Sequence, residues 1–153
     1  MMIIEKRLHE LGVVLPEVPP LAGMYKRIKQ VGNLLYVSGQ GPTLNGEALV
    51  SGKVGGTRSI AEGQKAAKLC TINALSVIKD HIGDLDKIKG FVKILGFVAC
   101  TTDFTDQPKV IDGASLFLYE VFGESGIAAR SAIGTNQLPG DITVEIEYIV
   151  EIK

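Results

Sequence analysis

At 153 residues, with 16 basic and 17 acidic side chains and a net charge of −1, the chain has the size of one domain and lacks the basic footprint that binding a phosphate backbone demands. It is 46% hydrophobic before its 18 glycines are counted, more apolar than a lone core needs, which points weakly to an oligomer. No apolar run has the length of a membrane span, and the start Met1-Met2-Ile3-Ile4-Glu5-Lys6-Arg7 turns charged too soon for a signal-peptide core.

Cys70 and Cys100 are the only cysteines, with no CxxC spacing and no neighbouring histidine. They fit two core thiols in a reducing, cytoplasmic compartment. A short helix is expected over residues 4–11, followed by an extended lead-in to about residue 24 that carries Pro16, Pro19 and Pro20. Strand-forming residues at 25–31 and 34–38 flank Gly32-Asn33, the positive-φ pair a tight hairpin wants. Residues 39–56 are so glycine-rich that they read as a long surface loop.

A helix should begin after Ser59, with Glu62 three positions on as its capping-box partner, and run to about Ile82 before Gly83 stops it. Ala67, Cys70, Thr71, Ala74, Leu75, Ile78 and Ile82 give it one apolar stripe. Residues 88–101 form a β-rich run apolar on both parities, as expected of a central strand. A second helix starts near Pro108 and buries Val110, Ala114, Phe117, Leu118, Val121 and Phe122. A strand over residues 130–136 and a turn at Pro139-Gly140-Asp141 lead to a last strand over 142–152. There Ile142, Val144, Ile146, Tyr148, Val150 and Ile152 alternate with Thr143, Glu145, Glu147, Ile149 and Glu151.

This order predicts an α+β fold: a mixed sheet with two helices on one face. The opposite face, apolar in part and uncovered, calls for a closed symmetric oligomer.

Searches for common site types fail. Gly52-Lys53-Val54-Gly55-Gly56-Thr57 has its lysine in the wrong place for a phosphate loop, and Ser38-Gly39-Gln40-Gly41 is too short for a dinucleotide fingerprint. His9 and His81 are the only histidines, too few for a histidine-rich metal site. Arg130 remains. It opens an apolar strand between Ala128-Ala129 and Ser131-Ala132-Ile133, where a permanently charged guanidinium needs an anion. That anion is either an intrachain carboxylate, such as Glu145 or Glu147, or the carboxylate of a ligand held bidentately.

The stretch Ala129-Arg130-Ser131-Ala132 to Leu138-Pro139-Gly140-Asp141-Ile142-Thr143-Val144-Glu145-Ile146-Glu147 resembles the C-terminal signature of the Rid family, also called YjgF or L-PSP endoribonuclease-like. Ser38-Gly39-Gln40-Gly41-Pro42 looks like that family's Ser-Gly-Gln-x-Pro element, with Tyr25 at the family's spacing before it. On local grounds alone Ser38 is a turn serine and Tyr25 an edge aromatic; the motif spacing reverses that reading. The resemblance runs from about Tyr25 to Lys153. It implies a chorismate-mutase-like homotrimer with clefts between subunits. Arg130 would hold a substrate carboxylate from one subunit, Tyr25 and Ser38 would come from its neighbour, and the Gly39 backbone, Ser131 and Ala132 would help bind the ligand.

Glu145 matches the glutamate linked to the attacking water. The implied reaction is hydrolysis of 2-imino acids to 2-keto acids and ammonia, with no metal or cofactor. Ala132 stands where many deaminating members have cysteine, so only a backbone contact is expected there. The loop 41–56 and Asp112-Gly113-Ala114-Ser115 mark a divergent subgroup. Two other readings stay open: a non-catalytic small-carboxylate binder or regulator, and an endoribonuclease, which the near-neutral charge disfavours.

Overall fold

The computed structural model describes residues 2–153 and begins with the expected short helix, α1 (Ile3–Glu10). Its leading N–H groups, those of Ile3 and Ile4, donate to the Asp86 carboxylate at 2.9 and 2.8 Å, which satisfies donors that no helix can satisfy itself. Leu8 is buried in the main core. The helix therefore belongs to the domain rather than dangling from it.

After the extended segment come β1 (Ile28–Val31) and β2 (Leu34–Gln40), joined through Gly32 at φ 60°. The first strand starts three residues later than the side-chain preferences suggest. Ser38 is the reason: its hydroxyl donates to the Lys26 carbonyl at 2.6 Å and its N–H to the Arg27 carbonyl, which ties down residues 26–27 outside the regular ladder. The glycine-rich stretch is not all loop, because β3 (Thr43–Leu44) and β4 (Glu47–Ala48) form a small hairpin within it. Asn45 and Gly46 both take positive φ at its tip, as a tight hairpin turn requires.

Helix α2 (Ile60–Ile82) has the full capping box, with Ser59 and Glu62 each accepting the other's backbone N–H at 3.1 Å. Then follow β5 (Ile88–Ala99), α3 (Gln107–Phe122), β6 (Ala129–Thr135) and β7 (Val144–Ile152). The sheet order is β1-β2-β7-β5-β6. Every pairing is antiparallel except β5 with β6, the two strands that α3 connects, since parallel neighbours need a crossover. β5 is interior as expected, but β7 holds the middle.

Both long helices cover one face. Ala66, Ala67, Cys70 and Ala74 of α2 are fully buried, and these small side chains let the helix lie close to the sheet. At Gly113 an added Cβ would stand 2.1 Å from the Gln64 carbonyl oxygen, so only glycine permits the helices to approach that closely. Leu35, Leu75, Ile78, Ile94, Phe117 and Leu118 fill the space between, each contributing about 1.5–3 kcal/mol by burial. The buried Tyr148 hydroxyl is partnered by Thr71 at 2.9 Å.

Strand β5 departs from strict alternation. Phe91 and Ile94, three residues apart, are both buried while Val92 is exposed. A register shift between Phe91 and Lys93 against β7 changes the parity, as a bulge does. Phe91 thereby packs with Phe122 and Tyr148, and beyond the shift Leu95 and Phe97 turn to the opposite face. That opposite face carries no helix among the described residues. It bears Tyr36, Leu95, Ile149 and Ile133 among Lys93, Glu145 and Glu147, and encloses a cavity of about 470 Å³ above Tyr36, Leu95 and Ile149. No helix among the described residues is long and apolar enough to cross a membrane.

Candidate functional site

The residues singled out by motif fall into two groups on different parts of the sheet. The first gathers where β2 leaves regular pairing with β7. Between Val37 and Gln40 the register slips, which turns Gly39 toward Glu145. An added Cβ on Gly39 would lie 2.9 Å from the Glu145 carboxyl carbon, so the glutamate occupies the space a side chain would have taken. Burial pushes the half-buried Glu145 carboxyl above the ordinary range, and the neighbouring charge of Glu147 adds to the effect. A carboxylate so placed is a better proton acceptor than a solvated one.

Tyr25 and Gly39 line one cavity of about 610 Å³, together with Arg27, Gly41, Pro139 and Ile142. Tyr25 is 54% exposed. Arg27 is held in that wall by a hydrogen bond from its guanidinium to the Pro19 carbonyl, which pins the proline-rich lead-in over the site. Ser38 lies on the neighbouring wall of the sheet cavity. With its proton committed to Lys26, its oxygen can still accept.

The second group sits on β6, at the far edge of the sheet. In register, Arg130 opposes the buried Ile94, so its side chain rises on the helix-covered face, toward α3. Nη1 pairs with Asp112 Oδ1 at 2.8 Å and donates to Ser115 Oγ at 3.1 Å, while Nη2 donates to the Pro108 carbonyl at 3.4 Å. Of the two readings left open, the structure shows an intrachain carboxylate, but it is Asp112 and neither Glu145 nor Glu147. Strand alternation is the cause, because those glutamates project from the opposite face. Ser131 also points away from Arg130, and its hydroxyl accepts from Lys93 Nζ at 3.3 Å. Ala132 shares the Arg130 face, opposite Gly96.

β2 and β6 are separated by β7 and β5, three strand spacings, or about 14 Å. A three- or four-carbon acid cannot bridge that gap. Glu145, on β7, is two spacings from β6, about 10 Å, and projects from the other face. One chain therefore sets Gly39 against Glu145, with Tyr25 and Ser38 on the walls near Gly39, and keeps Arg130, Ser131 and Ala132 apart on β6.

Sequence reasoning gave no role to Arg27, Ser115 or Asp112 at this site. The signal for the last two was present: Pro108, Asp112 and Ser115 repeat at helical spacing on α3, the helix that leads into the Arg130 strand. Cys70 has no part in the chemistry, since it is fully buried, burial pushes its thiol up, and it donates to the Val144 carbonyl. Among the described residues no three His, Cys, Asp or Glu side chains cluster to hold a metal ion.

Residues 5–150 match the model of the family described as "YjgF/chorismate_mutase-like, putative endoribonuclease", reaching back into the lead-in that the motifs left out. The chain is 37% identical over 151 residues to Protein TCP17 of Trypanosoma cruzi, covering 98% of this chain and 94% of that one. It is 30% identical over 142 residues to a 2-iminobutanoate/2-iminopropanoate deaminase of Dermatophagoides farinae, covering 90% and 93%. A crystal structure of a protein of unknown function from Agrobacterium tumefaciens superposes with a TM-score of 0.91 at 45% identity, over 99% of this chain and 94% of that one. The match over nearly the whole length establishes that this chain belongs to the Rid family, with the YjgF/chorismate-mutase-like fold.

Proposed function

We propose that the protein hydrolyses 2-imino acids to 2-keto acids and ammonia at sites shared between neighbouring copies of a homotrimer. The observation that carries this reading is the division of the motif residues. A half-buried Glu145 with a raised pKa lies against Gly39 on the helix-free face near the middle of the sheet, and Arg130 stands on the edge strand β6 with its side chain on the helix-covered face. Neither half is a site alone. Placing the β6 edge of one copy beside the Tyr25–Gly39 wall of the next completes one, and closed symmetry repeats it. The name of the mite relative supports the choice of reaction.

In the completed site the Arg130 guanidinium orients the substrate carboxylate, which fixes the C=N carbon relative to Glu145. On the protonated imine, Glu145 takes a proton from water as the oxygen adds to that carbon, giving a neutral carbinolamine. Glu145 then passes this proton to nitrogen, and as the C–N bond breaks the hydroxyl gives up its proton to the departing ammonia, so that the carbonyl forms and ammonium leaves. Water is consumed, one C=N becomes one C=O, and no electrons are transferred. The chemistry needs a general base and a carboxylate clamp, which Glu145 and Arg130 supply.

Mixing two inactive variants tests the reaction and the sharing together. Arg130→Ala and Glu145→Gln homo-oligomers should each lose ammonia release from freshly generated 2-iminobutanoate. Random co-assembly should restore about a quarter of the wild-type rate, because one site in four then pairs an intact arginine with an intact glutamate. Failure to recover in verified mixed oligomers would place both groups in one chain's site. If wild type releases ammonia no faster than buffer yet binds 2-ketobutanoate, the protein is a small-carboxylate binder.

A further inference from the structure

The guanidinium proposed to clamp the substrate already has an anion beside it, and the way it is held says what else the clamp recognises. Three groups on one side of α3 hold Arg130: the Pro108 carbonyl, Asp112 Oδ1 and Ser115 Oγ. They come from positions i, i+4 and i+7, so a single helical face sets the arginine rotamer. Asp112 engages through one oxygen and one nitrogen, whereas a carboxylate serving only as a counterion for arginine does best with two parallel hydrogen bonds. Oδ2 accepts no hydrogen bond from the described residues. Nor is the carboxylate screened from the outside: the Asp112 side chain is 42% exposed, against 28% for the arginine it holds.

A ligand approaching Arg130 therefore meets a positive and a negative group side by side. A simple anion gains the first and is repelled by the second. A ligand whose carboxylate sits one carbon from a cationic nitrogen satisfies both, and a protonated 2-imino acid has that pattern. Its hydrolysis product does not, because the 2-keto acid puts a partly negative carbonyl oxygen where the nitrogen was.

We infer that Asp112 is a specificity-determining residue that reads the cationic nitrogen of the ligand, so that the Arg130–Asp112 pair favours zwitterionic 2-iminio acids over 2-keto acids. This rests on the reading of Arg130 as the carboxylate clamp. It gives the pair two tasks: favouring the protonated imine, the form most readily attacked by water, and weakening the hold on product once the nitrogen has gone.

The test compares two probes of one carbon skeleton by calorimetric titration of the full chain: 2-ketobutanoate, an anion, and L-2-aminobutanoate, a zwitterion. Asp112→Asn keeps the shape and the hydrogen bond to Arg130 and removes the charge. It should tighten 2-ketobutanoate about 10-fold and weaken 2-aminobutanoate by a similar factor, shifting their ratio about 100-fold. Asp112→Ser carries the same expectation for the ratio and serves if the asparagine variant does not fold. Ser115→Ala, which removes a neutral contact, should weaken both probes together and leave the ratio alone.

If both probes weaken equally in Asp112→Asn, the aspartate only positions Arg130 and the inference fails. An unchanged ratio overturns it as well. Should wild type bind neither probe, Arg130 is not a carboxylate site and the proposed function falls with it. Because the readout is a ratio of affinities, it does not depend on turnover.

Discussion

The two halves of the candidate site are built in opposite ways. Around Glu145 the chain makes room for a charge and leaves it uncompensated: a glycine vacates the space, a register slip opens the ladder, and the charge that acts on its pKa, on Glu147, is of the same sign. Around Arg130 the chain compensates the charge at once, with a carboxylate, a hydroxyl and a carbonyl from one helix. The first arrangement raises the free energy of the ionised group and makes it reactive; the second lowers it and makes it rigid. A base has to be ready to take a proton, and a clamp has to keep its place.

The sharpest way to break this contrast is Glu145→Gln, which should lower the rate of imine hydrolysis by about 10²–10⁴-fold, the usual contribution of a general base, with 2-ketobutanoate affinity nearly unchanged. The same variant should melt at a slightly higher temperature at neutral pH. The pKa of Glu145 is raised in the folded state, so its stabilising contribution is present at low pH and is lost as pH rises through the folded pKa. Glutamine removes that loss. A lower melting temperature would contradict the assignment of Glu145 as an uncompensated charge.

Arg130→Ala should weaken 2-ketobutanoate binding by about 100-fold, the loss of a charge-assisted pair of hydrogen bonds. Its thermal stability should fall little, because partly exposed ion pairs contribute at most about 1 kcal/mol and this one is open to solvent on both sides. A large drop in melting temperature with binding intact would make the arginine a structural tie.

Gly39→Ala should cost about 10–100-fold in turnover, since displacing a reacting group by an ångström is enough to do so. The new methyl would meet the Glu145 carboxyl group at 2.9 Å. Full activity in this variant would detach Gly39 from the base.

The smallest effect concerns pH. Activity requires ionised Glu145, so the rate should fall on acidification, and at a higher pH than a solvated glutamate would set. Glu147→Gln removes the lesser of the two causes of the raised pKa and should move that limb to lower pH without abolishing it. A limb that stays in place in a rate–pH profile would assign the titration to another group.

Much of this architecture is legible in the residues. The capping box at Ser59 and Glu62, the stop at Gly83, the turn at Gly32 and the strict alternation of β7 are local signals, because each depends on contacts within a few positions. The small hairpin at Asn45-Gly46 was legible in principle, and its glycine-rich surroundings masked it. The slips in β2 and β5 were not, since a bulge arises from the competition of two ladders for one strand. The motif residues were also readable, although their spacing does not say that Arg130 and Glu145 lie on opposite faces. That follows from strand parity within a sheet whose order is non-sequential.

By itself, then, the sequence determined the elements, their caps, the buried stripes and the identity of the charged groups, all of which are set by short-range periodicity and side-chain chemistry. Only the tertiary structure decided which anion meets Arg130, because α3 must cross back over the sheet before Asp112 can reach it. It also decided that Glu145 stands over Gly39, through a slip in pairing that no stretch of chain encodes alone. Electrostatic environment is a property of neighbours in space, and Gly39 and Glu145, which meet here, are 106 residues apart along the chain.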